Sequence, residues 1–335
     1  MSLDVYALGN AIVDIQIQVR DSVLEELAFE KGSWNLIDRS CQEDILNRLL
    51  GTDHWDAALK AGKLTTAAGG SAANTMHGIS QLGGRAGFCG KVANDELGAL
   101  YAAHMQKNGV TFNGNPEQGI TGTCIVLISQ NAQRTMLTCL GVSKEIDYED
   151  VNEELLKSSS YIYLEGYLFE SENTTQTVLK AIEVAKKNDV KIALTASDVS
   201  CIDRHRDLYL QLIQKDVDLL FSNAQEARSL SNTDSNEEAL QVLSGWCRNV
   251  AITDGKHGSI VTFNGEVVKI TPKSVCPLDT TGAGDAYAAG LLYGITNDRT
   301  IAESGEIASL FSATVVTQIG PQCNDDIPAE LKNLL

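Results

Sequence analysis

A chain of 335 residues, 43% of them hydrophobic, can bury a sizeable core and is long for one compact domain but short for three. Its formal net charge of −18 excludes broad contact with nucleic acid or an anionic membrane, since both require clustered Lys and Arg. Any phosphate it binds must be held locally.

At the N-terminus no basic segment precedes an apolar one, and no apolar run anywhere reaches the ~18 residues that would span a bilayer. The expectation is a soluble, cytoplasmic protein. Residues 5–8, 86–89, 161–164, 191–194, 217–221 and 249–253 are short apolar, β-branched runs. Between and after them lie helical patterns at 74–81, 96–107, 175–187, 237–246, 283–292 and 301–316, with apolar residues three and four apart. This alternation predicts an α/β fold, a mostly parallel sheet covered by helices on both faces. Two stretches break the rhythm, 15–60 and roughly 109–140, where alternating runs such as Ile15 to Val19 and Thr123 to Ile128 read as a small β-layer inserted into the core. The acidic stretch from Glu145 to Glu154 reads as a solvated approach to a helix. The eight cysteines are scattered and without a Cys-x-x-Cys pair, so they read as reduced thiols. Five histidines show no ligand spacing, which predicts no structural metal.

The segment that carries chemistry is Asp279-Thr280-Thr281-Gly282-Ala283-Gly284-Asp285, a glycine turn running into a helix of small residues. The backbone amides of Gly282, Ala283 and Gly284 would point out of a helix N-terminus, where unsatisfied donors and the dipole favour an anion. Asp285, in the first turn, is placed to accept the proton of a hydroxyl attacking a phosphoryl group. The plain alternative is an acid that only caps its helix. Two other phosphate-binding classes fail on spacing. Gly282-x-Gly284 has Tyr287 where a dinucleotide fingerprint needs its third glycine, and neither Gly90-Lys91 nor Gly255-Lys256 is followed by Ser or Thr as a P-loop requires.

The Asp-Thr-Thr-Gly-Ala-Gly-Asp string resembles the C-terminal signature of the PfkB (ribokinase-like) family of carbohydrate and nucleoside kinases. Gly9-Asn10-Ala11-Ile12-Val13-Asp14 is similar to that family's opening motif, and Gly69-Gly70-Ser71-Ala72-Ala73-Asn74 to its Gly-Gly-x-x-x-Asn. Gly90 to Gly98 follows its next segment, with Ala93 where a glycine is usual, while Asn223-Ala224-Gln225-Glu226 and Thr253-Asp254-Gly255-Lys256-His257-Gly258 match its nucleotide-side motifs. The resemblance implies a three-layer α/β/α sandwich with a small β-sheet lid, the core formed by 1–14, 61–108 and 141–335 and the lid by 15–60 and 109–140. It implies Asp285 as base with the 282–284 amides as anion hole. Asn10, Asp14, Gly69, Gly70 and Asn74 would bind the acceptor's hydroxyls. Thr253, Gly255 and Gly258 would line the ATP site, and Asn223 with Glu226 would organise Mg²⁺ through water. Asn223 and Glu226 have the spacing of a helix capping box as well, and both readings stay open. A monovalent cation (K⁺) near the anion hole is a further implied cofactor.

Arg134-Thr135-Met136, Leu140-Gly141 and Glu165-Gly166-Tyr167 resemble the bacterial adenosine-kinase-like members of the family more than its ribokinases. By that likeness Arg134 is a lid arginine that closes on the γ-phosphate, and Tyr167 and Trp34 are candidates to stack on a purine. The expected activity is transfer of the γ-phosphate of ATP to a nucleoside hydroxyl, most simply the ribose 5′-hydroxyl of adenosine. A sugar kinase of the same family and a non-catalytic nucleoside-binding protein are the alternatives. The expected partners are small molecules only, with no nucleic acid and no membrane, and the chain is read as a monomer or homodimer.

Overall fold

The computed structural model describes residues 2–51, 58, 61, 64–130, 133–323 and 326–335. Its larger sheet runs, from one edge to the other, through Thr111–Asn113, Ala86–Cys89, Val5–Leu8, Tyr161–Glu165, Lys191–Thr195, Leu219–Asn223, Asn249–Thr253, Ser259–Phe263 and Glu266–Ile270. All neighbours are parallel except the last two pairings, which are antiparallel. Successive residues of one strand face opposite ways. Val5 and Ala7 therefore pack under Met76, Ile79, Leu291 and Phe311 of the helices Ser71–Gln81, Ala283–Thr296 and Ile301–Val315. Tyr6 and Leu8 pack on the opposite face with Val178, Ile182, Leu212 and Leu243 of Glu172–Lys187, Arg206–Lys215 and Asn236–Trp246. Burial on both faces is why these strands read as apolar runs without alternation. Among the described residues no helix is long and apolar enough to cross a membrane.

A second sheet has the order Trp34–Leu36, Arg134–Cys139, Gly122–Ile128, Ile12–Gln18, Thr65–Gly69. Its strands do alternate. Ile15, Ile17, Ile125, Leu127 and Leu137 face outward and are covered by Leu24 of the helix Asp21–Leu27 and Ile45 of the helix Arg39–Leu50. Ile12, Cys124, Val126 and Met136 form a smaller apolar group on the other face.

Sheet membership departs from the expected boundaries in three places. Thr65–Gly69 pairs with Ile12–Gln18 in the small sheet, the latter strand straddling the boundary at residue 14, whereas Thr111–Asn113 extends the large one. Membership depends on a hydrogen-bonding partner far along the chain, which local periodicity does not encode. The 15–60 stretch is also less β-like than expected: two helices cover its sheet. The acidic stretch from Glu145 is not a solvated face throughout, because buried Asp150 holds buried Lys91 at 2.9 Å.

Within the large sheet Val5–Leu8 has Ala86–Cys89, the next of its strands in the chain, on one side and Tyr161–Glu165 on the other, so the sheet has a switch point there, where ligand clefts open at the carboxyl ends of strands. The chain passes from the large to the small sheet at 9–11, and from the small sheet into a core helix at Gly70. A Cβ at Gly70 would lie 2.2 Å from the Asn10 carbonyl oxygen, and its φ of +96° suits glycine alone. Gly70→Ala is expected to destabilise the protein by about 1–3 kcal/mol through backbone strain, before any cost of the clash. Urea unfolding checks this, and an unchanged midpoint would mean that the crossing is not built as described.

Candidate active site

The carboxyl ends of five parallel strands supply Asn10, Glu165, Thr195, Asn223 and Thr253 to the wall of one cleft of about 770 Å³. The inward face of the small sheet adds Asp14, Cys124, Arg134, Met136 and Thr138. Pairing of period two puts these lid residues on one face, because each is an even-numbered neighbour of an outward-facing one.

Gly282, at φ +74°, ends the loop and starts the helix Ala283–Thr296. A Cβ there would sit 2.3 Å from the Pro321 carbonyl oxygen, so only glycine fits the turn. Of the three amides expected to face an anion, that of Ala283 also approaches Thr280 O at 3.3 Å. The amides of Gly284 and Asp285 lie in the first turn, which has no acceptor within its own helix. Asp285 is half-buried. Ser71 Oγ donates to its Oδ1 at 2.6 Å and Asn74 Nδ2 to its Oδ2 at 3.0 Å. Burial raises its pKa to about 6, against the pull of those two donors.

Asp14 is buried, and among the described residues nothing donates to its carboxylate. Burial raises its pKa to about 7; Arg134 lowers it, and Asp285 and Asp279 add to the rise. A methyl at Gly69 would lie 2.8 Å from Asp14 Oδ2, so Gly69 backs the carboxylate and is not part of the cleft wall. Gly70 and Asn74 are in the wall.

Arg134 Nη2 pairs with Asp279 Oδ2, and the same carboxylate takes the amides of Thr281 at 3.0 Å and Gly320 at 2.6 Å. A lid strand is thus tied to the loop that begins the helix Ala283–Thr296. Among the described residues Arg134 Nη1, Asn10 Nδ2 and Ser222 Oγ are buried without a partner, and all three residues line the cleft. Native interiors rarely leave such groups unpaired, so each would take a polar partner, water or ligand, from the cleft. Trp34 and Tyr167 are in ring contact, with centroids 4.9 Å apart and planes tilted by 36°, and Arg204 lies 5.7 Å from the Trp34 ring.

Both readings of Asn223 and Glu226 meet in one geometry. Asn223 Oδ1 accepts the Gln225 and Glu226 amides at 2.9 Å and Glu226 Oε2 accepts the Asn223 amide at 2.9 Å, a complete capping box. Glu226 nonetheless lines the cleft, with its pKa raised to about 7 by burial. Its hard carboxylate oxygens suit Mg²⁺ held through water. Thr253 reaches the wall, whereas Gly255 and Gly258 close the turn beyond it, Asp254 N bonding Gly258 O at 2.8 Å. The histidine spacing predicts no structural metal; among the described residues one histidine stands beside a cysteine and a glutamate. Donor atoms of Glu170, Cys201 and His205 lie within 4.8 Å of one another, although Arg204 already pairs with that glutamate.

Sequence reasoning missed several residues here. Glu165, wholly buried, accepts the amides of Asn10 and Ala72 at 2.7 Å each, and burial raises its pKa to about 7. Its place at the carboxyl end of a predicted strand was the available signal. Ser71 stood unassigned inside a recognised motif, and Asp279 opened one. Ser197, at φ +71°, accepts the Gly166 amide at 2.9 Å and its carbonyl accepts the Tyr167 hydroxyl at 3.3 Å, so it positions the aromatic.

Residues 40–327 match the model of the pfkB family carbohydrate kinases. A 5-dehydro-2-deoxygluconokinase of Clostridium botulinum is 28% identical over 277 residues, covering 78% of this chain and 80% of that one. The crystal structure of adenosine kinase from Sinorhizobium meliloti superposes with a TM-score of 0.92 at 34% identity over the whole of both chains. That of Anopheles gambiae adenosine kinase shares the fold, with a TM-score of 0.85 at 20% identity over 98% of this chain and 99% of that one.

The raised carboxylates give the ligand-free protein a defined pH response. Asp14 holds its proton up to about pH 7 when folded against an ordinary value of 3.8. The folded state therefore binds more protons than the unfolded one between those limits, and this contribution to stability is lost as pH rises through about 7. The Tm difference between Asp14→Asn and the parent is expected to grow in the variant's favour from pH 4 to pH 8. A difference that stays flat would place the Asp14 carboxyl in a solvated setting.

Proposed function

Since the chain belongs to the pfkB family of carbohydrate kinases, and is thus an ATP-dependent kinase with a small-molecule hydroxyl as acceptor, we propose that its acceptor is a nucleoside, adenosine, phosphorylated on the 5′-hydroxyl. The observation that carries this reading is the tilted Trp34–Tyr167 ring pair, with Met136, Cys124 and Leu140 in the same cleft wall as Asp14, Asn74 and Asp285. A bare sugar would use the polar residues and leave that apolar, aromatic side uncovered. A purine would cover it, and one stacked base is worth about 1–3 kcal/mol.

In this reading Asp14 and Asn74 orient the ribose, and the 5′-hydroxyl faces Asp285. Each Asp285 oxygen already accepts one donor and keeps a lone pair for the incoming proton. A pKa of about 6 leaves it ionised at neutral pH yet basic enough to take that proton as the new bond forms. The hydroxyl oxygen bonds the γ-phosphorus, the bond from that phosphorus to the bridging oxygen breaks, and ADP leaves. The first-turn amides of the helix Ala283–Thr296 and the free Nη1 of Arg134 neutralise charge on the moving phosphoryl group. Glu226 and Asn223 would hold Mg²⁺, which when bound supplies further charge on the phosphate oxygens. Thr253 faces the nucleotide side of the cleft.

The alternative acceptor is a free sugar or sugar acid, favoured by the likeness to 5-dehydro-2-deoxygluconokinases. Coupled-assay turnover with Mg²⁺ and ATP against adenosine, guanosine, inosine, ribose, fructose and 5-dehydro-2-deoxygluconate separates the two. Adenosine is expected to turn over, and turnover on sugars alone would replace the nucleoside reading. Asp285→Asn is expected to lower kcat by roughly 10²–10⁴-fold with ATP affinity nearly intact. Tyr167→Ala is expected to raise KM for adenosine by roughly 10-fold or more, the scale of one stacking contact, while leaving Asp285 chemistry in place. Near-parental kcat in the first variant would remove Asp285 from the role of base.

A further inference from the structure

A chain of hydrogen bonds reaches Asp285 from the helix Glu96–Lys107 on the far side of the acceptor site. Gln322 Nε2 donates to Ala68 O at 3.1 Å and to Asn74 Oδ1 at 2.9 Å. A backbone carbonyl can only accept, so the Ala68 contact fixes which way the Gln322 amide points. Its Oε1 must then accept, and the partner is His104 Nε2 at 2.7 Å, which places the imidazole proton on that nitrogen. With Oδ1 taken by Gln322, Asn74 turns Nδ2 to Asp285 Oδ2 at 3.0 Å. Both ends are pinned, one by a carbonyl and the other by a carboxylate, and every link runs in one direction.

We propose that Gln322 is a positioning residue for the kinase reaction: it locks the Asn74 amide with its N–H toward Asp285, keeping that carboxylate a charged acceptor, while His104 holds Gln322. The inference deepens the reading of Asp285 as base and rests on it. Gln322 is buried and lies in the loop after the helix Ile301–Val315. Its neighbours there touch the site too, Gly320 through Asp279 and Pro321 against Gly282. His104 is itself supported by His77, stacked at 5.6 Å. Burial lowers the pKa of both rings, to about 4 for His77, so the pair is neutral at physiological pH and adds no charge to the chain.

Without Gln322 no other described residue is hydrogen-bonded to Asn74 Oδ1, and the amide is free to rotate and present that oxygen to Asp285. The carboxylate would exchange a donor for a repelling acceptor, and its pKa would rise. The substitution leaves unaltered the titratable groups coupled to it, Asp14 from the lid sheet, Tyr163 and Glu165 from one core strand and Glu226 from its helix, and Arg134 and Asp279, which act on Asp14.

The test is carboxyl-carbon NMR of the ligand-free full chain with ¹³C-labelled aspartate, the Asp285 signal being assigned by its loss in Asp285→Asn. The parental midpoint is expected near 6. Gln322→Met keeps the side chain's length but neither donates nor accepts, and the midpoint is expected to rise by about one pH unit, the scale of one hydrogen bond to a carboxylate. Gln322→Leu, uncharged and unable to donate to Asn74, gives the same upward shift; it serves if the Met variant does not fold. The acid limb of kcat/KM for adenosine should move with the midpoint. A purely structural role for Gln322 would lower Tm and leave the Asp285 midpoint unmoved, and that result in a folded variant overturns the proposal. Failure of the base reading shows separately, as turnover retained by Asp285→Asn with the NMR shift intact.

Discussion

Four carboxylates, Asp14, Glu165, Glu226 and Asp285, share one cleft, and burial raises the pKa of each. The rest of the site follows from that constraint. A charge taken out of water must be neutralised, paired or hydrogen-bonded, and the fold uses each device in turn. Glu165 is met by two backbone amides, Glu226 closes a capping box, Asp285 takes a serine and an asparagine, and Asp14 has Arg134 as a nearby charge. In the proposed function an acceptor hydroxyl or a bound cation would complete what these partners leave unfinished, and binding would then be linked to stability through the same groups.

The same constraint explains how a chain of net charge −18 handles a polyanion. Attraction over the whole surface is not available to it. In the proposed reaction phosphate is instead met by directed groups: the start of the helix Ala283–Thr296, and one guanidinium whose Nη1 has no partner among the described residues. Arg134 is held by Asp279, whose carboxylate also organises the loop ahead of that helix through the Thr281 and Gly320 amides. Lid and anion-facing loop are therefore set by one residue. A second lid contact, Trp34 on Tyr167 with Arg204 beyond it, joins the two sheets on the apolar side.

Much of this was legible before any coordinates. Residues 5–8, 86–89 and 249–253 form the expected strands and 96–107 the expected helix, because buried parallel strands and amphipathic helices leave strong local patterns. The helices Asp21–Leu27 and Arg39–Leu50 were hidden by the alternating strand-like run at Ile15 that precedes them, and by their short apolar stripes. Most of the expected site residues, Asp285, Asp14, Asn74, Arg134 and Thr253 among them, do converge on one cleft. Gly69, Gly255 and Gly258 lie behind or beyond its wall.

The sequence by itself determined the alternating architecture, the glycine turn that starts a helix with an acid in its first turn, and the polar motifs at the ends of apolar runs. Each depends on residues close together in the chain, where spacing alone dictates geometry. Only the tertiary structure decided that Asp279 holds Arg134 across 145 residues, that Gln322 orients Asn74 across 248, and that Glu165 bonds two amides from separate segments. It also decided how far each carboxylate's pKa rises, since desolvation is a property of what folds over a group and not of its neighbours in sequence.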